Sequence, residues 1–287
     1  MKRHILWVIP ALVLLSGCST ESLADRTYAQ GIALHGKAPL TVTMQGFDRE
    51  DCLTASAQDV PSALRLLQAQ TGGTVFTGHT ELVCTDGSTP PGVLLRLLTE
   101  EGLSPSCKIR RGGLPEDAGQ AVLSQRMAEQ SGLIPVTELS TALDEWLGEC
   151  GWALLPTDGG SLPGFVLMHR DGRCIRLGDD AAGGMRFLRR RTGAFDMTAG
   201  GETVRIRRIS LHRELWGDTV RISVRLHLSG GTAAARRMLR EQVQMQCDAA
   251  VAEMLDAGAD VIGLQAVYDA AGMRPVWKAE VRVTILP

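Results

Sequence analysis

The stretch Leu15-Ser16-Gly17-Cys18 holds the residues whose types and spacing could do chemistry: two small residues before a thiol, behind an apolar run. Small side chains at Ser16 and Gly17 admit a peptidase, and a thiol beside the cut can take diacylglycerol as a thioether. Lys2 and Arg3 supply a cationic start. Ile5 to Leu15 is an uncharged run of about eleven residues, the length of a signal peptide rather than the about twenty that span a bilayer. Residues 1–17 are therefore expected to be a cleaved lipoprotein signal peptide, with Leu15, Ser16 and Gly17 as its lipobox and Cys18 as the lipidated first residue.

Lipidation also accounts for an odd cysteine count. Of seven cysteines, one would carry lipid and six would remain: Cys52, Cys84, Cys107, Cys150, Cys174 and Cys247. They are far apart and form no CxxC pair, so disulfide pairing and free buried thiols both stay open. His35, His79, His169, His212 and His227 show no zinc-ligand spacing, and no metal is expected.

Other chemistry is hard to find. The chain has no GxSxG elbow, no HExxH, no Walker loop and no GxGxxG after a strand. The paired glycines at 72, 112, 183, 200 and 230 read as turns between elements rather than phosphate cradles. His79 enters a strand with no orienting carboxylate in view and reads as structural. Asp144 and Glu145 are adjacent on a helix and so point apart. No catalytic residue and no cofactor is expected.

Charge is distributed unevenly. Without Lys2 and Arg3 the chain carries 28 basic against 32 acidic side chains, a net charge of −4 that gives no bias toward nucleic acid. Residues 151–225 are the basic part, with 13 basic and 8 acidic groups. Within them, Arg189-Arg190-Arg191 and Arg205, Arg207 and Arg208 interrupt or alternate with apolar strand residues. They read either as a solvated face that discourages edge pairing or as a contact for anionic lipid or an acidic partner.

The elements that must position these residues follow from periodicity. Leu40, Val42 and Met44 alternate with polar residues as in a half-buried strand. Asp59 before Pro61 marks a helix start, and Gly72-Gly73 its stop. Val75 to Cys84 is expected as one strand, Pro90-Pro91 as the opening of a second helix ending near Gly102, and Cys107 to Arg111 as a strand. Ala118 to Gln130 and Thr137 to Glu149 show helical spacing, with Trp146 and Leu147 toward a core. Phe165 to His169 and Cys174 to Leu177 flank Asp171-Gly172, which predicts a hairpin on a type I′ turn. Asp179 to Gly184 is expected as a loop, and Phe187 to Met197, Thr203 to Leu211 and Thr219 to Leu228 as a meander. Ala233 to Asp256 is the longest helix, with Cys247 packed inside, and Trp277 to Leu286 closes the chain as a strand. No second apolar stretch is long enough to cross a membrane.

The fold class is therefore α+β, as three small domains in which mainly antiparallel sheets pack with helices. The boundaries are 18–117 for an N-terminal α+β domain, 118–192 for a middle domain of a helical pair and a hairpin, and 193–287 for a C-terminal domain of meander, long helix and final strand.

The order of these features resembles the Ger(x)C family, the lipoprotein C subunits of bacterial nutrient germinant receptors. Leu23 to Gln45 is similar to that family's first hairpin, and Pro61 to Gln70 followed by Val75 to Val83, with Gly78-His79, to its helix and following strand. Gly164 to His169 with Arg173 to Gly178 resembles its middle hairpin. Val220 to Leu228, the long helix, Asp260-Val261-Ile262-Gly263-Leu264 and Trp277 to Ile285 resemble its C-terminal domain. The resemblance implies a non-catalytic subunit tethered through Cys18 to membrane lipid on the extracytoplasmic face of the spore inner membrane. It further implies assembly with integral-membrane subunits of A and B type, and no nucleic-acid partner. A lipid-anchored solute-binding or envelope-assembly protein is the alternative.

Overall fold

The computed structural model describes residues 26–47, 51–157, 164–189 and 194–286. The expected signal peptide and lipobox, Leu15 to Cys18, lie outside the described residues, as do Arg190 and Arg191.

The chain builds two sheets. The first begins as an antiparallel meander of β1 (Arg26–His35), β2 (Leu40–Gly46) and β3 (Cys52–Ala57). Helix α1 (Val60–Thr71) follows; its cap is the one expected, with the Asp59 carboxylate accepting from Ser62 N at 2.8 Å and Gly72 closing it at φ +74°. The run 75–84 is not one strand but two, β4 (Thr74–Phe76) and β5 (Leu82–Thr85), both parallel to β1. After α2 (Pro91–Thr99), β6 (Lys108–Arg111) adds parallel to β5. Helices α3 (Ala118–Gln130) and α4 (Leu139–Leu147) precede β7 (Trp152–Thr157), β8 (Gly164–His169) and β9 (Cys174–Arg176). The order is β3-β2-β1-β5-β6-β7-β8-β9, with β4 also on β1. Every residue of β5 is buried, as a central parallel strand with both faces covered requires.

Helices α1, α2 and α4 cover one face of this sheet through Leu64, Leu67, Leu94, Leu97, Leu143 and Trp146. Helix α3 lies on the other face, where Ala118 and Val122 meet Ala33, Leu82 and Cys84. Leu147, expected inside, is 56% exposed. It follows Trp146 directly, and adjacent helix positions diverge by about 100°.

The second sheet is β10 (Phe195–Ala199), β11 (Glu202–Trp216), β12 (Thr219–Ser229) and β13 (Ala279–Leu286), in that order. Three helices accompany it: α5 (Asp179–Leu188), α6 (Ala233–Asp256) and α7 (Leu264–Ala270). Residues 179–184, expected as a loop, are thus helical, and Phe187 lies in the last turn of a helix instead of starting a strand. The misleading signal was Gly183-Gly184. A Cβ on Gly184 would sit 2.0 Å from Gln246 O and 2.8 Å from Ala250 Cβ, so these glycines let α5 cross α6 at close range.

The hairpin β7–β8 joins the two halves. Its alternating residues divide between two cores: Ala153, Leu155, Val166 and Met168 face the first, while Trp152, Leu154, Phe165 and Leu167 face the second. Three separate sheets were expected, but the strands of the middle segment extend the first sheet, because a strand pair apolar on both faces cannot leave either one in water. The β8–β9 turn also differs from expectation. Only Gly172 has positive φ, and Gly172 N donates to His169 O at 2.9 Å, whereas a type I′ turn needs positive φ at both centres.

Candidate functional site

The positions singled out in the sequence do not converge. His79 is exposed, and its ring neighbours Tyr28 at 5.8 Å and Phe76 at 5.3 Å, an aromatic cluster rather than a general-base setting. The six cysteines are all free thiols. Burial pushes Cys84, Cys107 and Cys247 up to about 12, so none is a nucleophile at neutral pH. Among the described residues no group of three His, Cys, Asp or Glu side chains could hold a metal ion, and no helix is long and apolar enough to cross a membrane.

Two buried ionic clusters escaped the sequence reading. In the first, Lys108 on β6 places its ammonium 2.7 Å from Glu129 of α3 and 3.5 Å from Glu138, with Thr137 N and the Gln125 amide also on Glu129. In the second, Arg189 caps α5 and turns inward. Its guanidinium lies 2.6 Å from the Glu145 carboxylate, and the two side chains are only 10% and 16% exposed. Glu145 also accepts from Leu154 N at 3.1 Å. Burial raises the Glu145 carboxyl above its ordinary value, with Arg189 opposing it, and Asp260 adds negative charge nearby. Beside them Arg213 of β11 donates to Leu188 O at 2.9 Å. These groups tie α4 of the first half to α5 and β11 of the second. Arg189 is therefore not offered to a partner surface, contrary to expectation. Its ion pair spans 44 residues of sequence, and no local pattern reveals such a contact.

Arg205 and Arg207 lie on β11 of the second sheet, and both are exposed. The core side of the second sheet carries Val204, Ile206, Val220, Ile222, Val224, Leu226 and Val283 beneath α6. Strict alternation then sends the intervening residues to the opposite, open face. Arg205, Arg208, Arg221, Arg225 and Arg282 stand there by register, with Arg207 as the extra residue of a bulge between Ile206 and Arg208. Of these, Arg205, Arg207, Arg208, Arg225 and Arg282 are exposed. Three carboxylates share the face: Asp196 lies 3.5 Å from Arg205, Glu280 pairs with Arg221, and Glu214 lies 3.7 Å from the His212 imidazole. Arg207, Arg208, Arg225 and Arg282 have no ion-pair partner among the described residues. The bulge and the contributions of β12 and β13 were not legible in the chain, because they depend on strand register.

Fold and site together define an α+β protein of two sheets, fused at one hairpin and open on an arginine-bearing face. No protein-family profile matches the chain, and no curated protein matches it. Among solved structures, one described as "Crystal Structure of the GerBC protein" is similar to it, with a TM-score of 0.49 and 10% sequence identity, over 91% of this chain and 98% of that one.

Proposed function

We propose that this chain is the lipid-anchored, non-catalytic subunit of a nutrient germinant receptor, held by Cys18 at the extracytoplasmic face of the spore inner membrane beside integral-membrane subunits of A and B type. The observation that carries the reading is the series of Ger(x)C-like segments in family order behind a lipobox. Several of these segments are whole elements of the fold. Leu40 to Gln45 lies in β2, Pro61 to Gln70 in α1, the middle hairpin is β8–β9, and the closing segments run from β12 through α6 and the Asp260 turn to β13. The Asp260 carboxylate accepts from Leu264 N at 2.8 Å and Gln265 N at 2.7 Å, so it serves that turn as the start of α7.

Anchoring through a diacylglyceryl group supplies two acyl chains, whereas one alone binds a membrane only marginally. Purification of the native protein from spore membranes tests the assembly. Polytopic membrane proteins are expected to accompany it, and recovery without any would end the receptor reading. Cys18→Ala should release the protein from the membrane fraction and abolish that co-purification, while unchanged fractionation would refute the anchor. Mass spectrometry of the processed N-terminus reads the modification directly.

A further inference from the structure

We propose that the open face of the β10–β13 sheet docks flat on a bilayer surface bearing anionic phospholipid headgroups. The strands place six arginines and no lysine on this face, against three carboxylates, of which Asp196 and Glu280 are paired with arginines and Glu214 lies beside His212. Four guanidinium groups, those of Arg207, Arg208, Arg225 and Arg282, are therefore left for a ligand. A guanidinium binds phosphate oxygens in a planar, bidentate way that an ammonium cannot. Adjacent strands lie about 4.8 Å apart and same-face residues about 7 Å apart along a strand, which presents the charges as a flat array rather than a pocket.

The residues between the arginines narrow the class of ligand. They are mostly short and polar, Ser210, Ser223, Ser229 and Thr284, joined by the imidazoles of His212 and His227, and Leu286 stands only at the end of β13, so the middle of the face has no large apolar anchor of the kind that dominates protein–protein affinity. Nor does that middle carry the Phe, Tyr or Trp rings that form a stacking platform for nucleic-acid bases. The exception is at the rim. Trp216, at the β11–β12 tip, is 63% exposed with the Arg221 guanidinium 4.1 Å from its ring centroid, a pairing of apolar ring and cation suited to the depth of lipid headgroups. The arginine face is independent of the lipobox, and its lipid binding is tested apart from the receptor reading.

The test uses residues 19–287, which contain every described element, sedimented with vesicles of phosphatidylcholine alone or with one third phosphatidylglycerol. Binding is expected only to the anionic vesicles and should weaken with salt. Arg225→Gln should weaken it about fivefold, the share of one arginine near an anionic surface. Arg208→Glu/Arg225→Glu/Arg282→Glu should abolish it with the melting temperature unchanged. Arg237→Glu on α6 should leave binding as it was. Absence of binding, equal binding to neutral vesicles, or equal loss in the α6 variant would overturn the proposal. So would displacement by soluble polyglutamate at matched charge, which would assign the face to an acidic protein.

Discussion

Arg189 and Glu145 show how much one buried pair can set. Each charge was costly to desolvate, and their attraction offsets that cost only while both are present. Arg189→Met should destabilise the protein by about 3–5 kcal/mol at neutral pH in urea unfolding, because it strands the Glu145 carboxylate without its cation. The loss should be smaller in acid. The carboxyl of Glu145 is raised above its ordinary value by burial, so between that value and its folded one the native state holds a proton the unfolded chain has released. Stability from this group therefore falls as pH rises through that window, more steeply without Arg189. Glu145→Gln in the Arg189→Met background should recover stability at high pH. A double variant that stayed pH-dependent there would show that the pair is not the source.

At the scale of elements, two helical glycines should respond with opposite signs. Gly184 lies where α5 crosses α6, and an added methyl would meet the Gln246 carbonyl and Ala250. Gly184→Ala should lose about 1–3 kcal/mol through overpacking, although alanine is the better helix former. Gly92, in α2, has nothing within 4 Å of an added Cβ, so Gly92→Ala should gain about 0.5–1 kcal/mol. Thermal melting of the two variants checks the pair, and a stabilised Gly184→Ala would mean the helices are not in contact. On the second sheet, α6 also protects an exposed edge. The Gln244 side chain donates to Val281 O at 2.9 Å and accepts from Val283 N at 2.9 Å, satisfying backbone groups of β13 that have no neighbouring strand.

For the whole molecule, the hairpin β7–β8 makes the two sheets one folding unit. Leu167 faces the second core, while its neighbours Val166 and Met168 face the first. Leu167→Ala should cost about 2–5 kcal/mol, and near-ultraviolet dichroism and amide exchange in both sheets should report the same loss in urea. Separate transitions for the two sheets would contradict this coupling. Residues 118–192 expressed alone should not fold cooperatively, because their strands bury one face against the first half and the other against the second.

Local chemistry settled much of this protein from sequence alone. Asp59 and Gly72 bound α1, Ala233 to Asp256 is α6 to the residue, and Leu40 to Gln45 lies within β2, because capping, turn conformation and periodicity act over a few residues. The α+β class followed from the same short-range signals. Tertiary structure alone decided the rest. Gly183-Gly184 reads as a turn until another helix is seen against it, and Arg189 reads as surface until Glu145 is found 44 positions away. The arginine face was half visible, as Arg205 and Arg207 on one strand. Arg225 and Arg282 joined it only when register set three strands side by side, since a side chain's neighbours across a sheet are fixed by pairing and not by distance along the chain.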